Sequence, residues 1–125
     1  MENTYPKHEK LKSKTTIDLL FSEGKSVSKF PLRLVYVPVP DSDSQIKIGV
    51  SVSKKYFKKA VDRNYFKRVL RETYRLNKEI LLQNNPQPYA FMLLYQTKDK
   101  LSFSEIQEKT GHLFRKFAEA IANDK

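Results

Sequence analysis

Nine positively charged side chains fall within 22 residues of this chain: Lys54, Lys55, Lys58, Lys59, Arg63, Lys67, Arg68, Arg71 and Arg75, set against only Asp62 and Glu72. This stretch carries a net +7 of the chain's formal +10, and the other 103 residues carry +3. Like charges held this close repel one another, and a polyanion that neutralises them is the simplest compensation. The chemistry on offer is recognition of a phosphate backbone, an anionic membrane or an acidic protein, with a solvated basic face as the plain alternative. Arginine adds a planar fork that matches phosphate oxygens and a plane on which bases stack, so Arg63, Arg68, Arg71 and Arg75, with Asn64 beside them, suit nucleic acid.

Catalysis by the chain itself finds little support in its residue types. The two histidines, His8 and His112, are far apart, and three glycines form no phosphate-cradling loop. No cysteine is present, which excludes a thiol nucleophile, a disulfide framework and a cysteine zinc site. Asp41 and Asp43 read as turn residues, Asp62 as a helix-start residue and Glu72 as a partner of Arg68 or Arg75. No catalytic residue and no metal ligand are assigned.

The basic residues need a rod to align them, and the apolar spacing supplies one. From about Lys59 to Asn77, at 100° per residue, Phe66, Val69, Leu70, Thr73, Leu76 and Asn77 share one side, while Asn64, Lys67, Arg68, Arg71 and Arg75 lie opposite within about 100° of arc. Around this helix the pattern predicts a small sheet. Pro31 to Pro40 alternates as a strand, Asp41 to Gln45 is a polar loop, and Ile46 to Val52 alternates as a hairpin partner. Tyr89 to Tyr95 is continuously apolar, which predicts a central strand buried on both faces.

Two further helices complete the set. Thr15 can cap a helix of one or two turns that buries Ile17, Leu20 and Phe21 and stops at Gly24. Ser102 and Glu105 form a capping-box pattern for a last helix to about Ala122, with Ile106, Thr110, Leu113, Phe114, Phe117 and Ile121 on one face. The order is αββαβα, an α+β fold in which three helices pack on a mixed sheet of three to four strands. With 125 residues a single small domain is expected over residues 13–122, preceded by a flexible arm over residues 1–12.

The longest apolar run, Tyr89 to Tyr95, falls far short of the roughly 20 residues that span a bilayer. The polar start, Met1 to Lys14, lacks the apolar stretch of a secretory signal, so a cytoplasmic location is expected. A membrane-surface helix would put large apolar groups into lipid, whereas this one needs its apolar side to cover a sheet. With neither a helix-turn-helix nor a dimer pattern for duplex DNA, RNA is the better fit.

At this point the residues resemble a family. Val52-Ser53-Lys54-Lys55, Lys59-Ala60-Val61-Asp62-Arg63-Asn64 and Lys67-Arg68-Val69-Leu70-Arg71-Glu72 resemble the signature of the protein component of bacterial ribonuclease P. Leu20-Phe21 with Gly24, Leu101-Ser102-Phe103 and His112-Leu113-Phe114-Arg115-Lys116 extend the resemblance to about Leu11 to Lys116. It implies a left-handed βαβ crossover, as in the ribonuclease P protein and ribosomal protein S5 domain 2-like fold, against the usual right-handed rule. It also implies a partnership with a catalytic RNA that uses Mg²⁺ to cleave precursor tRNA at its mature 5′ end. In that partnership the protein is a non-catalytic subunit that binds the 5′ leader and broadens substrate specificity, as a monomer in a 1:1 complex.

Carried over by position, the resemblance implies RNA contacts at Lys54, Lys55, Lys58, Lys59, Arg63, Asn64, Lys67, Arg68, Arg71 and Arg75. The family's Arg-Asn-Arg block falls on Arg63, Asn64 and Tyr65, so its third member is aromatic here. The stretch from Tyr56 to Lys59 looks one residue longer than in many members, where a glycine is frequent. A leader-binding cleft between the first helix and the sheet is implied at Ile17, Phe21, Arg33 and Val35, with Tyr36 in the place of Val35 if the strand register slips by one. Two rival readings remain from the residues alone: a general RNA-binding or ribosome-associated module, and a protein-only nuclease, against which the scattered carboxylates argue.

Overall fold

The structure, a computed structural model, describes residues 9–84 and 87–123. The elements run α1 (Lys14–Glu23), β1 (Lys25–Lys29), β2 (Leu32–Pro38), β3 (Ile46–Val52), α2 (Ala60–Asn84), β4 (Tyr89–Tyr95) and α3 (Phe103–Ala122). The α+β class, the three helices and the mixed sheet stand, with one strand more than the order αββαβα. The added strand is β1, Lys-Ser-Val-Ser-Lys, whose single apolar residue gives no alternation to read in sequence.

Sheet order is β1-β2-β4-β3, with β1, β2 and β4 mutually antiparallel to their neighbours and β3 parallel to β4. The expected hairpin of β2 with β3 is therefore replaced: β4 lies between them. Its seven apolar residues, shielded on both faces, take the inner position, and α2 makes the crossover from β3 to β4.

Alternation splits the sheet between two cores. Leu32, Leu34 and Tyr36, Ile46 and Ile48, and Phe91, Leu93 and Tyr95 pack with Phe66, Leu70 and Tyr74 of α2 and with Leu113, Phe114 and Phe117 of α3. On the other face Val35, Val37, Ala90 and Met92 pack under Leu20 of α1. Tyr36 thus points away from α1, and the register places Arg33 and Val35 on the α1 face.

The helices differ from expectation mainly at their ends. α1 has ten residues, and its N-cap is Ser13, whose hydroxyl accepts from the Thr16 N–H, in place of Thr15. Of the three apolar residues expected beneath it only Leu20 is buried; Ile17 is half-buried and Phe21 is exposed. Gly24 ends the helix where β2 comes close: a Cβ there would lie 2.3 Å from the Leu20 carbonyl oxygen and 2.8 Å from Val35 Cγ1. α2 continues past Asn77 because Leu81 prolongs its buried side, whereas Leu76, expected on that side, lies at its margin and is exposed. The capping box of Ser102 and Glu105 is formed in α3.

Residues 9–12, read from sequence as the end of a flexible arm, join the domain. The Leu11 N–H donates to the Ile48 carbonyl at 3.1 Å, Lys10 bridges to Ile48, and Glu9 is buried against Tyr74 and Lys78. The rest of that arm, residues 1–8 with His8, lies outside the described residues.

Candidate nucleic-acid interface

The basic segment begins where β3 hands the chain to the loop before α2. Ser53 turns it: its hydroxyl accepts from the Lys55 N–H at 3.0 Å, and its carbonyl accepts from the N–H groups of Tyr56 and Phe57 at 3.1 and 3.2 Å. Phe57 then plugs the loop into the core, its ring stacked on Phe66 with centroids 4.9 Å apart and 5.9 Å from that of Tyr95. Pinned by that ring, the loop presents Lys54, Lys55, Lys58 and Lys59, all exposed. The stretch from Tyr56 to Lys59 thus carries its own aromatic anchor.

Along α2, about 37 Å long at 1.5 Å per residue, Asn64, Arg68 and Arg75 are exposed and Arg63, Lys67 and Arg71 are half-buried. Buried Phe66, Val69, Leu70, Thr73 and Tyr74 hold the opposite side against the sheet and α3. The helix's positive end carries Lys58, Lys59 and Arg63, with Asp62 the one acid of its first turn, so macrodipole and side chains add to a positive potential. That arrangement costs stability in the free protein and favours an anionic partner. At the far end the potential is weaker: Arg75 binds Glu72 through two guanidinium nitrogens, at 3.2 and 2.5 Å, and this hydrogen-bonded pair holds the Glu72 carboxyl below its usual range.

Two members of the carried-over block behave differently from a plain phosphate contact. Arg63 turns back on its own loop, its Nη1 donating to the carbonyls of Phe57 and Lys58 at 2.9 Å each. Tyr65 is exposed, its ring edge-on to Phe66 with centroids 4.9 Å apart, and the Arg68 guanidinium carbon lies 5.8 Å from its centroid.

The second predicted surface lies on the α1 face of the sheet. Register places Ser28, Arg33, Leu94 and Ser51 in one cross-strand row, next to the row of Ser26, Val35, Met92 and Gly49. Arg33 is exposed and its Nη2 donates to the Ser26 hydroxyl at 3.1 Å. Phe21, with 61% of its surface exposed, is available as a stacking face, and Ile17 lies one turn earlier on the same flank of α1. Val35 is on the predicted face but is covered by Leu20 and Gly24, so it lies in the floor beneath α1, whereas Phe21 and Arg33 are exposed and Ile17 is half-buried.

The sequence reading missed two features. A groove of about 800 Å³ runs along the other flank of α1, where Thr16 and Leu19 meet Lys10, Lys12, Val39 and Lys47. Its three cations come from two separate segments, residues 10–12 and β3, so no run of charge announces it. The cluster of buried Glu9 and Tyr74 with half-buried Lys78 is equally silent, since Tyr74 and Lys78 lie 65 and 69 positions from Glu9 in sequence.

The family model described as Ribonuclease P matches residues 5–118 of the chain. The chain belongs to the ribonuclease P protein family. Among its relatives, the ribonuclease P protein component of Porphyromonas gingivalis is 39% identical over 98 residues, covering 76% of this chain and 72% of that one. That of Bacillus velezensis is 32% identical over 110 residues, covering 88% and 90%. Among solved structures, the ribonuclease P protein of Thermotoga maritima superposes with a TM-score of 0.69 at 26% identity, over 86% of this chain and 96% of that one. The Staphylococcus aureus protein, at 21% identity, shares the fold with a TM-score of 0.73 over 87% and 94%. The sequence resemblance is thereby confirmed, and the reading as a general RNA-binding module has no support among these relatives. Among the described residues no helix is long and apolar enough to cross a membrane.

Proposed function

We propose that this chain is the non-catalytic protein subunit of a bacterial ribonuclease P, acting in the cytoplasm as one copy per catalytic RNA. The observation that carries the reading is the outward face of α2 and its preceding loop. Exposed Lys54, Lys55, Lys58 and Lys59 continue into Asn64, Lys67, Arg68, Arg71 and Arg75 on one rod, in a chain of this family. These groups dock on phosphates of the RNA, with Arg63 shaping the loop. The cleft of Ile17, Phe21 and Arg33, floored by Val35, receives the single-stranded 5′ leader of precursor tRNA.

Two binding surfaces on one small domain raise the effective concentration of substrate at the RNA without any bond-breaking by the protein. The Mg²⁺ that supports cleavage belongs with the RNA and the substrate. Among the described residues no three His, Cys, Asp or Glu side chains group as metal ligands, and Asp43 is engaged by Lys47 at 3.4 Å. The test adds the protein to a bacterial ribonuclease P RNA at low Mg²⁺ and follows removal of the leader from precursor tRNA. Cleavage by the mixture with neither component active alone is the expected result. Cleavage by the purified protein, or RNA binding without stimulation, would overturn the proposal.

A further inference from the structure

Tyr65 stands where the exposed surface of α2 changes from charged to apolar. At 100° per residue, Val61, Tyr65 and Arg68 form one stripe beside the arc of Asn64, Arg71 and Arg75. Val61 is 70% exposed and Tyr65 45% exposed, on a helix whose buried side already covers the sheet. The Tyr65 ring is held in place: Phe66, itself only 2% exposed, meets it at an interplanar angle of 83°, and the Arg68 guanidinium stands over it. A rigid aromatic bordered by cations is how proteins hold unpaired nucleotides, phosphates on the cations and the base on the ring. Val61 extends the apolar surface that a base would cover.

We infer that Tyr65, flanked by Val61 and Arg68, is a stacking platform for one unpaired nucleobase of the RNA that α2 docks on. The inference rests on the RNA-docking reading above and adds a contact of different chemistry to it. Bases inside a duplex have no free face, so the platform selects a bulged or looped nucleotide. Every base has such a face, so the preference is for unpaired structure and not for a particular base. The surrounding net positive charge favours this occupant over a second copy of the chain, whose own basic face would be repelled.

The experiment measures binding of a bacterial ribonuclease P RNA across a salt series with the full chain and with Tyr65→Ala, Tyr65→Phe and Arg71→Ala. Because the ring is exposed, both Tyr65 variants should melt like the parent. Tyr65→Ala should weaken binding about tenfold with an unchanged log–log salt slope, because a stacked base releases no counterions. Tyr65→Phe should bind within about twofold of the parent, while Arg71→Ala should flatten the slope by about 0.7 to 0.9. Parent-like binding by Tyr65→Ala, a slope change as large as that of Arg71→Ala, or a loss in Tyr65→Phe equal to that in Tyr65→Ala would overturn the platform. So would a Tyr65-dependent dimer in sedimentation without RNA. Failure of the parent chain itself to bind would overturn the docking reading instead.

Discussion

The guanidinium of Arg63 donates from Nη1 to the carbonyl oxygen of Phe57 at 2.9 Å, and again to that of Lys58. The first cation of the helix thus braces the loop that carries four exposed lysines, and Phe57 in turn is fixed by its stack on Phe66. Charge-assisted bonds of this kind contribute more than neutral ones. Arg63→Ala should lower stability by about 1–2 kcal/mol, because both carbonyls lose their charged donor. Asn64→Ala, one residue on and exposed, should leave the melting curve unchanged. Equal melting of Arg63→Ala and Asn64→Ala would show that the brace is dispensable.

The hydroxyl of Tyr74 donates to Glu9 at 2.6 Å, and Lys78 pairs with the other carboxylate oxygen. This contact ties residues 9–11 to α2 while the Leu11 N–H is bonded to the edge of β3. Tyr74→Phe keeps the buried ring but removes a donor from a buried carboxylate, at a cost of about 1–3 kcal/mol. Hydrogen exchange at Leu11 should speed up in that variant more than exchange within β4. Uniform acceleration across the sheet would mean that the contact only adds to global stability.

The basic stripe should behave as a set of phosphate contacts. Arg68→Ala combined with Arg71→Ala is expected to weaken assembly with the RNA and to flatten the log–log salt slope by about 1.5, from 0.7 to 0.9 per phosphate. Arg75→Ala should have a smaller effect, because Arg75 is already engaged with Glu72. An unchanged slope in the double variant would remove α2 as the docking face.

Much of this site was legible because a 3.6-residue period in charge and a matching period in Phe66, Val69, Leu70 and Thr73 leave one arrangement open. Tyr89 to Tyr95 announced its inner position by being apolar on both faces, and Ser102 with Glu105 announced a helix start. β1 was not legible because Lys25 to Lys29 is held by backbone pairing with β2 and its side chains are mostly solvated. The insertion of β4 between β2 and β3 is a long-range outcome that local alternation does not encode. Periodicity sets Arg63 seven residues before buried Leu70, outside the arc that runs from Lys67 to Arg68, but it does not reveal that the side chain folds back on its own loop.

Phe21 answers a question that sequence left open between core and cleft. Its neighbour Leu20 is 1% exposed and fills the space beneath α1, so Phe21 is not needed there. Phe21→Ala should therefore change stability by no more than about 0.5 kcal/mol. Its effect should fall on affinity for precursor tRNA with a long leader, by about 1–3 kcal/mol if one base stacks on it, and not on tRNA lacking a leader. Equal losses for both substrates would place Phe21 outside the leader's path.

Tyr95 links the loop before α2 to the turn before α3, and burial of its phenol is expected to set an alkaline limit on the fold. Its ring packs on Phe57 and Phe66, while its hydroxyl donates to the Asp99 carbonyl at 2.6 Å and accepts from the Leu101 N–H at 3.0 Å. Burial pushes its phenol above the ordinary value of 10.0, outweighing the Leu101 hydrogen bond that favours the ionised form. A phenol that is harder to ionise when folded contributes stability that is complete below the unfolded value. As pH climbs past about 10 the unfolded chain releases the proton first, and that contribution is lost. Tyr95→Phe gives up both hydroxyl bonds, so it should be about 1–2 kcal/mol less stable at neutral pH. It should also lose less stability than the parent between about pH 9 and about pH 11. Parallel pH profiles for the two proteins would show that Tyr95 does not set the alkaline limit.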